Sequence, residues 1–137
     1  MIVLDTHVLI WLMEGEARLR PEVRTTIQSA AATRGVHVSA ITPWEIALLA
    51  QKGRISFGRE IAQWMDEALG LPGLCLAPIT PSIAIDSVQL PGDFHADPAD
   101  RLIIATSRAT GFALVTADKA MLRYGSQGHV SVVRADE

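Results

Sequence analysis

Short apolar runs alternate with longer amphipathic segments along this chain. Five runs with the length and the flanking turn residues of strands cover residues 1–4, 36–39, 74–77, 113–116 and 130–133. Apolar residues at helical spacing predict helices over residues 6–13, 21–32, 42–51, 59–69, 81–90, 97–111 and 118–124. Strands that alternate with helices are typical of a mostly parallel sheet covered on both faces.

The alternating pattern predicts an α/β fold in which helices flank a mostly parallel central sheet in an α/β/α sandwich. With 137 residues the chain fits one domain, residues 1–137, and can bury a real core. The helices predicted over 42–51 and 59–69 are joined by a tight turn, so we expect them to form a hairpin. The clearest loop is 91–96, which contains Gly92 and His95.

Four carboxylates lie at predicted connections from a strand to a helix or in the first turn of a helix. Asp5 ends the first apolar run and Asp118 follows the fourth, while Glu45 and Asp100 lie in the first turns of predicted helices. In an open α/β sheet the carboxyl ends of the strands form the rim where ligands bind, so residues that are distant in sequence can meet there. Clustered carboxylate oxygens are the ligands that a hard divalent cation requires. The sequence therefore predicts a metal site.

Helix capping is the alternative explanation for most of these acids. Thr42 and Glu45 have the spacing of a capping box, Asp97 and Asp100 have the same spacing, and Asp118 could cap its own helix. The segment that begins at Thr80 starts a helix in the same style with an apolar residue in place of the acid, so capping alone does not require one.

Asp5 is harder to explain by capping. An ionised carboxylate at the end of a buried strand costs several kcal/mol unless it is paired or binds a metal. No Lys or Arg lies in the neighbouring sequence.

A second group of polar residues lies beside the four acids. Hydroxyls at strand ends, those of Thr6, Ser39 and Thr116, are suited to orient carboxylates or water around a metal. Arg101 follows Asp100 directly and could pair with a carboxylate or reach a phosphate. His7 and His95 lie close to acids in sequence, with structural roles as the alternative. We expect the tryptophans, Trp11, Trp44 and Trp64, in the core or at an interface rather than as a base-stacking platform.

Composition limits the classes of partner. The net charge of −3 argues against binding nucleic acid by bulk electrostatics, although bound cations would offset several carboxylates, so a nuclease remains possible. One cysteine, Cys75, excludes an internal disulfide framework and fits a reducing compartment. No signal-peptide pattern and no membrane-length apolar run occurs, so we expect a cytoplasmic protein. The hydrophobic fraction of 49% predicts further buried surface, in an oligomer or against a partner.

Four sequence blocks together resemble the PIN-domain ribonucleases, of the VapC toxin type found in bacterial VapBC toxin–antitoxin pairs. The blocks are Leu4-Asp5-Thr6-His7, Ser39-Ala40-Ile41-Thr42-Pro43-Trp44-Glu45-Ile46, the run from His95 to Ala105 that contains Asp97-Pro98-Ala99-Asp100-Arg101, and Leu114-Val115-Thr116-Ala117-Asp118. The resemblance spans essentially the whole chain.

The resemblance implies that Asp5, Glu45, Asp100 and Asp118 form a Mg²⁺ or Mn²⁺ site, with Thr6 and Thr116 beside it. Asp97 and His95 match a subgroup pattern. It further implies endonucleolytic cleavage of RNA, a homodimer, and a small VapB-like antitoxin that blocks the site in a heterotetramer or a larger complex. Chemistry supports hydrolysis independently, because metal ions held by acids can activate water without a nucleophilic side chain.

A phosphatase and a catalytically inactive interaction domain are the alternatives to a nuclease. A phosphatase of the haloacid-dehalogenase type also begins with a strand that ends in Asp, but it needs a second Asp where this chain has His7. The rival from another class is a catalytically inactive PIN-like interaction domain, in which the acids only cap helices.

In either case we expect the first helix and the predicted hairpin to present apolar surface to the antitoxin. The apolar residues concerned are Trp11, Leu48, Leu49, Ile61, Trp64 and Met65.

Overall fold

The computed structural model describes all residues from Met1 to Glu137, with five strands and seven helices. The strands are β1 (Ile2–Leu4), β2 (Val36–Ser39), β3 (Leu74–Ala77), β4 (Ala113–Thr116) and β5 (Val132–Arg134). The helices are α1 (Thr6–Glu14), α2 (Pro21–Ala31), α3 (Thr42–Gln51), α4 (Ile61–Leu69), α5 (Pro81–Val88), α6 (Pro98–Thr110) and α7 (Lys119–Ser126). No helix is both long and apolar enough to cross a bilayer.

The five strands form one sheet in the order β3-β2-β1-β4-β5, and every neighbouring pair is parallel. The chain builds outward from β1 to β3 on one side and then returns to build β4 and β5 on the other. The order therefore reverses between β1 and β4, where Leu4 is in register with Val115. Such a switch point leaves a crevice at the carboxyl ends of the strands, and ligands bind there in open α/β sheets.

Both faces of the central strands are buried, as is typical of parallel pairing, whereas the edge strands β3 and β5 are partly exposed. Because side chains alternate along a strand, Ile2 and Leu4 face the larger core with α1, α2 and α4, whereas Val3 faces the smaller one with α6 and α7. Trp64 is fully buried, and its ring stacks on Phe57 at 4.3 Å between centroids. The two cores hold the central strands rigidly beneath the crevice.

The predicted elements are present with ends that differ by at most two residues, and the last strand is one of those that shift at both ends. It was predicted over 130–133 and lies at Val132–Arg134, because Val130 packs into the smaller core before the pairing with β4 begins. The end of α6 is as predicted: Gly111 has φ of 73°, the left-handed region that glycine enters without steric cost. The predicted hairpin corresponds to α3 and α4, which pack against each other.

The predicted apolar surface on α1 and the hairpin is partly wrong. Trp11, Trp64 and Met65 lie in the core, so they cannot receive a partner. Leu48, Leu49 and Ile61 are half-buried. The helical spacing that suggested a docking face is explained mainly by packing within this chain.

Candidate metal and catalytic site

The first half of the site is built on the ends of β1 and β4, and we call Asp5, Thr116 and Asp118 the strand half. Asp5 is 5% exposed. Its Oδ1 accepts a hydrogen bond of 2.8 Å from the Thr6 main-chain N–H, and its Oδ2 accepts one of 2.8 Å from the Thr116 hydroxyl. The Thr116 oxygen in turn accepts the Asp118 main-chain N–H at 3.0 Å. These bonds orient Asp5 across the switch point between β1 and β4.

The second half lies in the first turns of α3 and α6, and we call Glu45, Asp97 and Asp100 the helix half. One carboxylate oxygen from each lies within 4.8 Å of one from each of the others. Asp97 Oδ1 accepts the Asp100 main-chain N–H at 3.1 Å. Glu45 Oε1 is buried and has no hydrogen-bond partner. A buried acceptor without a protein donor is costly, so this atom is suited to contact a bound cation or water.

A hydroxyl pair lies between the ends of β1 and β2. The Thr6 and Thr42 side-chain oxygens are 3.0 Å apart, and both residues are fully buried. This bond joins the start of α1, beside Asp5, to the start of α3, beside Glu45. The two halves of the site are therefore connected through protein.

Electrostatics show that the acids repel one another. Burial is the main cause that raises the pKa of Asp100 to about 8, followed by the negative charges of Asp5, Asp97, Glu45 and Asp118. Burial also raises the pKa of Asp5 and that of Glu45. Asp5, in the strand half, adds to the rise at Glu45, in the helix half, so the two halves form one electrostatic unit. No Lys or Arg forms an ion pair with any of these five acids.

The residues present fit a divalent cation. The donor set consists of carboxylate oxygens, the hard ligands that Mg²⁺ and Mn²⁺ select. A bound cation would lower the raised pKa values of these acids, and it would also give the unpartnered Glu45 oxygen a favourable contact. The only nearby basic side chain with a direct contact is His95, whose Nε2 lies 3.4 Å from Asp100 Oδ2.

Capping explains some of the acids and not others. Asp97 caps α6, and Asp118 caps α7 by accepting the Met121 N–H at 2.9 Å. The predicted capping box at Thr42 is wrong, because α3 already begins at Thr42 and the hydroxyl of that residue is paired with Thr6. Glu45 thus has no structural role in capping. Ser39, predicted beside the metal, accepts the Ile41 N–H at 3.2 Å and holds the turn into α3.

Arg101 is placed differently from the expectation that it pairs with a carboxylate or reaches a phosphate. Its guanidinium donates to the main-chain carbonyls of Ser87, Val88, Phe94 and His95 at 2.7 to 3.3 Å. The side chain therefore fastens the 91–96 loop and the end of α5 to α6. This places His95 beside Asp100, so Arg101 supports the site from outside it.

One feature beside the acids was missed from sequence. Trp44 is 51% exposed, whereas Trp11 and Trp64 are buried. The signal was available: Trp44 and Leu48 are four residues apart and share a face of α3, while buried Ile46 points to the opposite side. His7 is exposed and lines a cavity of about 270 Å³ with Asp5 and Asp118.

Comparison with known proteins agrees with this architecture. The PIN domain family matches residues 2–126. Ribonuclease VapC22 of Mycobacterium tuberculosis is 35% identical over 120 residues, which is 88% of each chain.

Two solved structures have the same fold at lower identity. A chain in the structure of VapBC2 from Rickettsia felis bound to a promoter DNA fragment matches with a TM-score of 0.71 and 15% identity, over 99% of this chain and 100% of that one. A chain of a Klebsiella pneumoniae toxin–antitoxin complex matches with a TM-score of 0.66 and 23% identity, over 100% and 99%.

The family match, the extent of the VapC22 similarity and the shared parallel sheet lead to one conclusion: this chain belongs to the PIN-domain family, in its VapC group.

Proposed function

We propose that this chain, as a single PIN domain, is a metal-dependent endoribonuclease and the toxin of a type II toxin–antitoxin system. The observation that carries the proposal is the set of uncompensated carboxylates at the switch point, above all the buried and unpartnered Glu45 Oε1. The name of the relative VapC22 supports ribonuclease activity, and the titles of the structural neighbours support an antitoxin partner.

Asp5, Glu45, Asp100 and Asp118 would hold Mg²⁺ or Mn²⁺, and Asp97 extends the set on the helix side. The bound cation would supply charge stabilisation at phosphorus and a more acidic water for in-line hydrolysis. Thr116 and the Thr6 amide hold both oxygens of Asp5 in place, so this ligand would not need to reorganise. Asp100, whose pKa is about 8, holds a proton near neutral pH and would release it when the charge of a cation replaces it.

No side chain of the site is free to act as a nucleophile. The Ser39 hydroxyl serves the turn before α3, and the Thr6 and Thr116 hydroxyls are fully buried and hydrogen-bonded. Cys75 lies on β3, two strands away from β1. Water is therefore the attacking group that this chemistry favours.

Cleavage of structured RNA tests the proposed activity. Purified protein should cut RNA in Mg²⁺ or Mn²⁺, lose activity in EDTA, and lose it in Asp100→Asn. Asp66→Asn is the matched control, because Asp66 is an exposed helix residue without an ion pair. Activity that survives EDTA, or an Asp100→Asn variant as active as the control, would contradict the proposal and favour the inactive interaction domain.

Calorimetry tests the metal site without relying on catalysis. Wild-type protein should bind Mn²⁺, and Asp5→Asn should bind it far more weakly because a charged ligand is lost. No binding to the wild type, or equal binding to both, would show that the carboxylates do not form a metal site.

We also propose the antitoxin partner and the homodimer. An apolar groove of about 250 Å³ runs between α1, α2 and the segment before β3, and its lining includes Leu12, Met13 and Leu71. This groove replaces the predicted hairpin face as the docking surface for an antitoxin helix. The groove lies at the amino ends of β2 and β3, so an Arg from a different segment of the antitoxin would have to reach the carboxylates and compete with the cation.

Exposed Ile85 and Val88 on α5 offer apolar surface to a second copy. Co-expression with the adjacent upstream gene tests the partner, and light scattering of the purified chain tests the dimer. Recovery of the chain alone, with toxicity unrelieved by the neighbouring gene, would favour a free-standing nuclease.

A further inference from the structure

Two cavities flank the acids, and each is lined by one tryptophan. The two tryptophans differ in solvent exposure and in what contacts their rings. The cavity beside the strand half includes Trp11, which is 7% exposed and has the Arg18 guanidinium 4.8 Å from its ring centroid. The cavity beside the helix half includes Trp44, which is 51% exposed and has no aromatic or cationic partner on its ring. Only Trp44 has a free face for a ligand.

The Trp44 cavity has a volume of about 300 Å³, at the lower end of the range for sites that hold small molecules. Glu45 and Asp97 of the helix half line it on one side. Lys52 and Arg54 also line it, and neither forms an ion pair although carboxylates share the same cavity. Free cations and an open aromatic face beside a hydrolytic site are the components of a single-stranded nucleic-acid platform.

We propose that Trp44 stacks on an unpaired base of single-stranded RNA next to the cleaved phosphate, with Lys52 and Arg54 contacting the adjoining phosphates. The proposal rests on the ribonuclease activity proposed above and adds a substrate-positioning subsite to it. Stacking is sequence-tolerant, because every base has a π face. The subsite therefore selects an unpaired, splayed nucleotide rather than a particular base.

An exposed tryptophan at an interface with protein is the competing explanation, but two observations favour RNA. Trp44 lies one residue before Glu45, so a protein partner that stays bound during catalysis, such as a second copy of the chain, would cover the acids. The neighbouring Lys52 and Arg54 add positive charge to a cavity that Glu45 and Asp97 of the helix half line, which suits phosphates. In contrast, the apolar groove beside α1 and α2 has no charged residue in its lining.

Binding of a labelled random 12-mer single-stranded RNA, in an Asp100→Asn background that prevents cleavage, tests the subsite. Trp44→Ala should weaken binding roughly 5- to 100-fold, the effect typical of losing one stacked base. Trp44→Phe, which keeps an aromatic face, should bind within a few-fold of the parent, while Trp44→Leu, which keeps apolar bulk, should resemble Trp44→Ala. Double-stranded RNA should lose little affinity in any of them.

Salt dependence separates stacking from charge. Lys52→Ala and Arg54→Ala should each reduce the slope of log affinity against log salt by about 0.7, whereas Trp44→Ala should lower affinity without changing the slope. Arg34→Ala is the matched control, because Arg34 precedes β2 at the opposite end of the sheet. Its slope should equal that of the parent.

Several results would overturn the subsite. Single-stranded RNA affinity in Trp44→Ala within twofold of the parent would exclude stacking, as would an equal loss for single- and double-stranded RNA. Loss of the dimer or of antitoxin binding with unchanged RNA affinity would assign Trp44 to a protein interface. If the parent binds RNA without dependence on Trp44, the subsite alone fails. If wild-type protein neither binds nor cuts RNA, the proposed ribonuclease function fails with it.

Discussion

The strand half and the helix half of the site differ in how many hydrogen bonds the protein donates to their buried carboxylates. In the strand half, both oxygens of Asp5 accept hydrogen bonds, and Thr116 links them to the start of α7. In the helix half, Glu45 Oε1 has no partner, and Asp100 has a pKa of about 8. In the strand half the protein supplies a donor to each oxygen of the buried acid, although burial raises the pKa of Asp5 as well, whereas in the helix half one buried carboxylate oxygen lacks a protein donor.

The difference follows from where each half is anchored. Main-chain hydrogen bonds of the sheet fix the ends of β1 and β4 relative to each other, because Asp5 N–H donates to the Val115 carbonyl at 3.0 Å. The helix half joins the first turns of α3 and α6, and only side chains cross between them. The strand half is therefore held in a fixed geometry, and the helix half carries the electrostatic strain, evident in the raised pKa of Asp100, that a bound cation would relieve.

The largest effect is expected from a substitution in the helix half. Glu45→Gln removes one charge and should lower RNA cleavage by more than about 100-fold, because loss of an outer-shell partner alone typically costs 10- to 100-fold and Glu45 is proposed as a direct ligand. Glu60→Gln is the matched control, since Glu60 is an exposed acid that precedes α4 and makes no cap hydrogen bond. Single-turnover cleavage measures both. Equal activity would remove Glu45 from the site.

A smaller effect is expected in the strand half. Thr116→Val deletes the hydroxyl that donates to Asp5 Oδ2 and should weaken Mn²⁺ binding and cleavage about 10- to 100-fold. It should also destabilise the chain by about 1–3 kcal/mol, because a buried carboxylate oxygen loses its donor.

The matched control for Thr116→Val is Thr106→Val. Thr106 is equally buried, but its hydroxyl donates to the Leu102 carbonyl within α6 and touches no acid. A control as impaired as Thr116→Val would mean that fold disruption, rather than ligand orientation, explains the loss.

The strand half was easier to predict from sequence than the helix half. Asp5 and Asp118 directly follow apolar runs that predict parallel strands. Because the carboxyl ends of parallel strands lie at the same edge of the sheet, the sequence places both acids there without any knowledge of packing. The element pattern likewise predicts every strand and helix to within a few residues, because the strands of a fully buried parallel sheet are continuous apolar runs.

The helix half depends on packing that local sequence does not encode. The capping-box spacing at Thr42 and Glu45 suggested a local bond, but the Thr42 hydroxyl pairs with Thr6, which is 36 residues away. Arg101 was expected at the site because it is adjacent to Asp100, yet successive helix residues face different directions and its guanidinium lies on loop carbonyls. Long-range contacts decided both positions.

The smallest effect is expected in the stability of the metal-free protein as a function of pH. The folded chain holds a proton on Asp100 up to about pH 8, whereas the unfolded chain releases it near the usual aspartate pKa of 3.8. Between these values the folded state binds more protons, so the free energy of unfolding falls as pH rises. Because Asp100 is partly exposed and its charge is screened, we expect a loss on the order of 1–2 kcal/mol between pH 5 and pH 8.

Urea unfolding in EDTA measures this loss at both pH values. Asp100→Asn cannot ionise, so it should lose less stability than wild type over the same interval, and Asp66→Asn should behave as wild type does. Adding Mn²⁺ at pH 8 should restore stability to wild type and not to Asp100→Asn, because the cation binds only the folded site. A wild-type chain that loses no more stability than Asp100→Asn would show that the helix half carries no strain, and the contrast between the two halves would not hold.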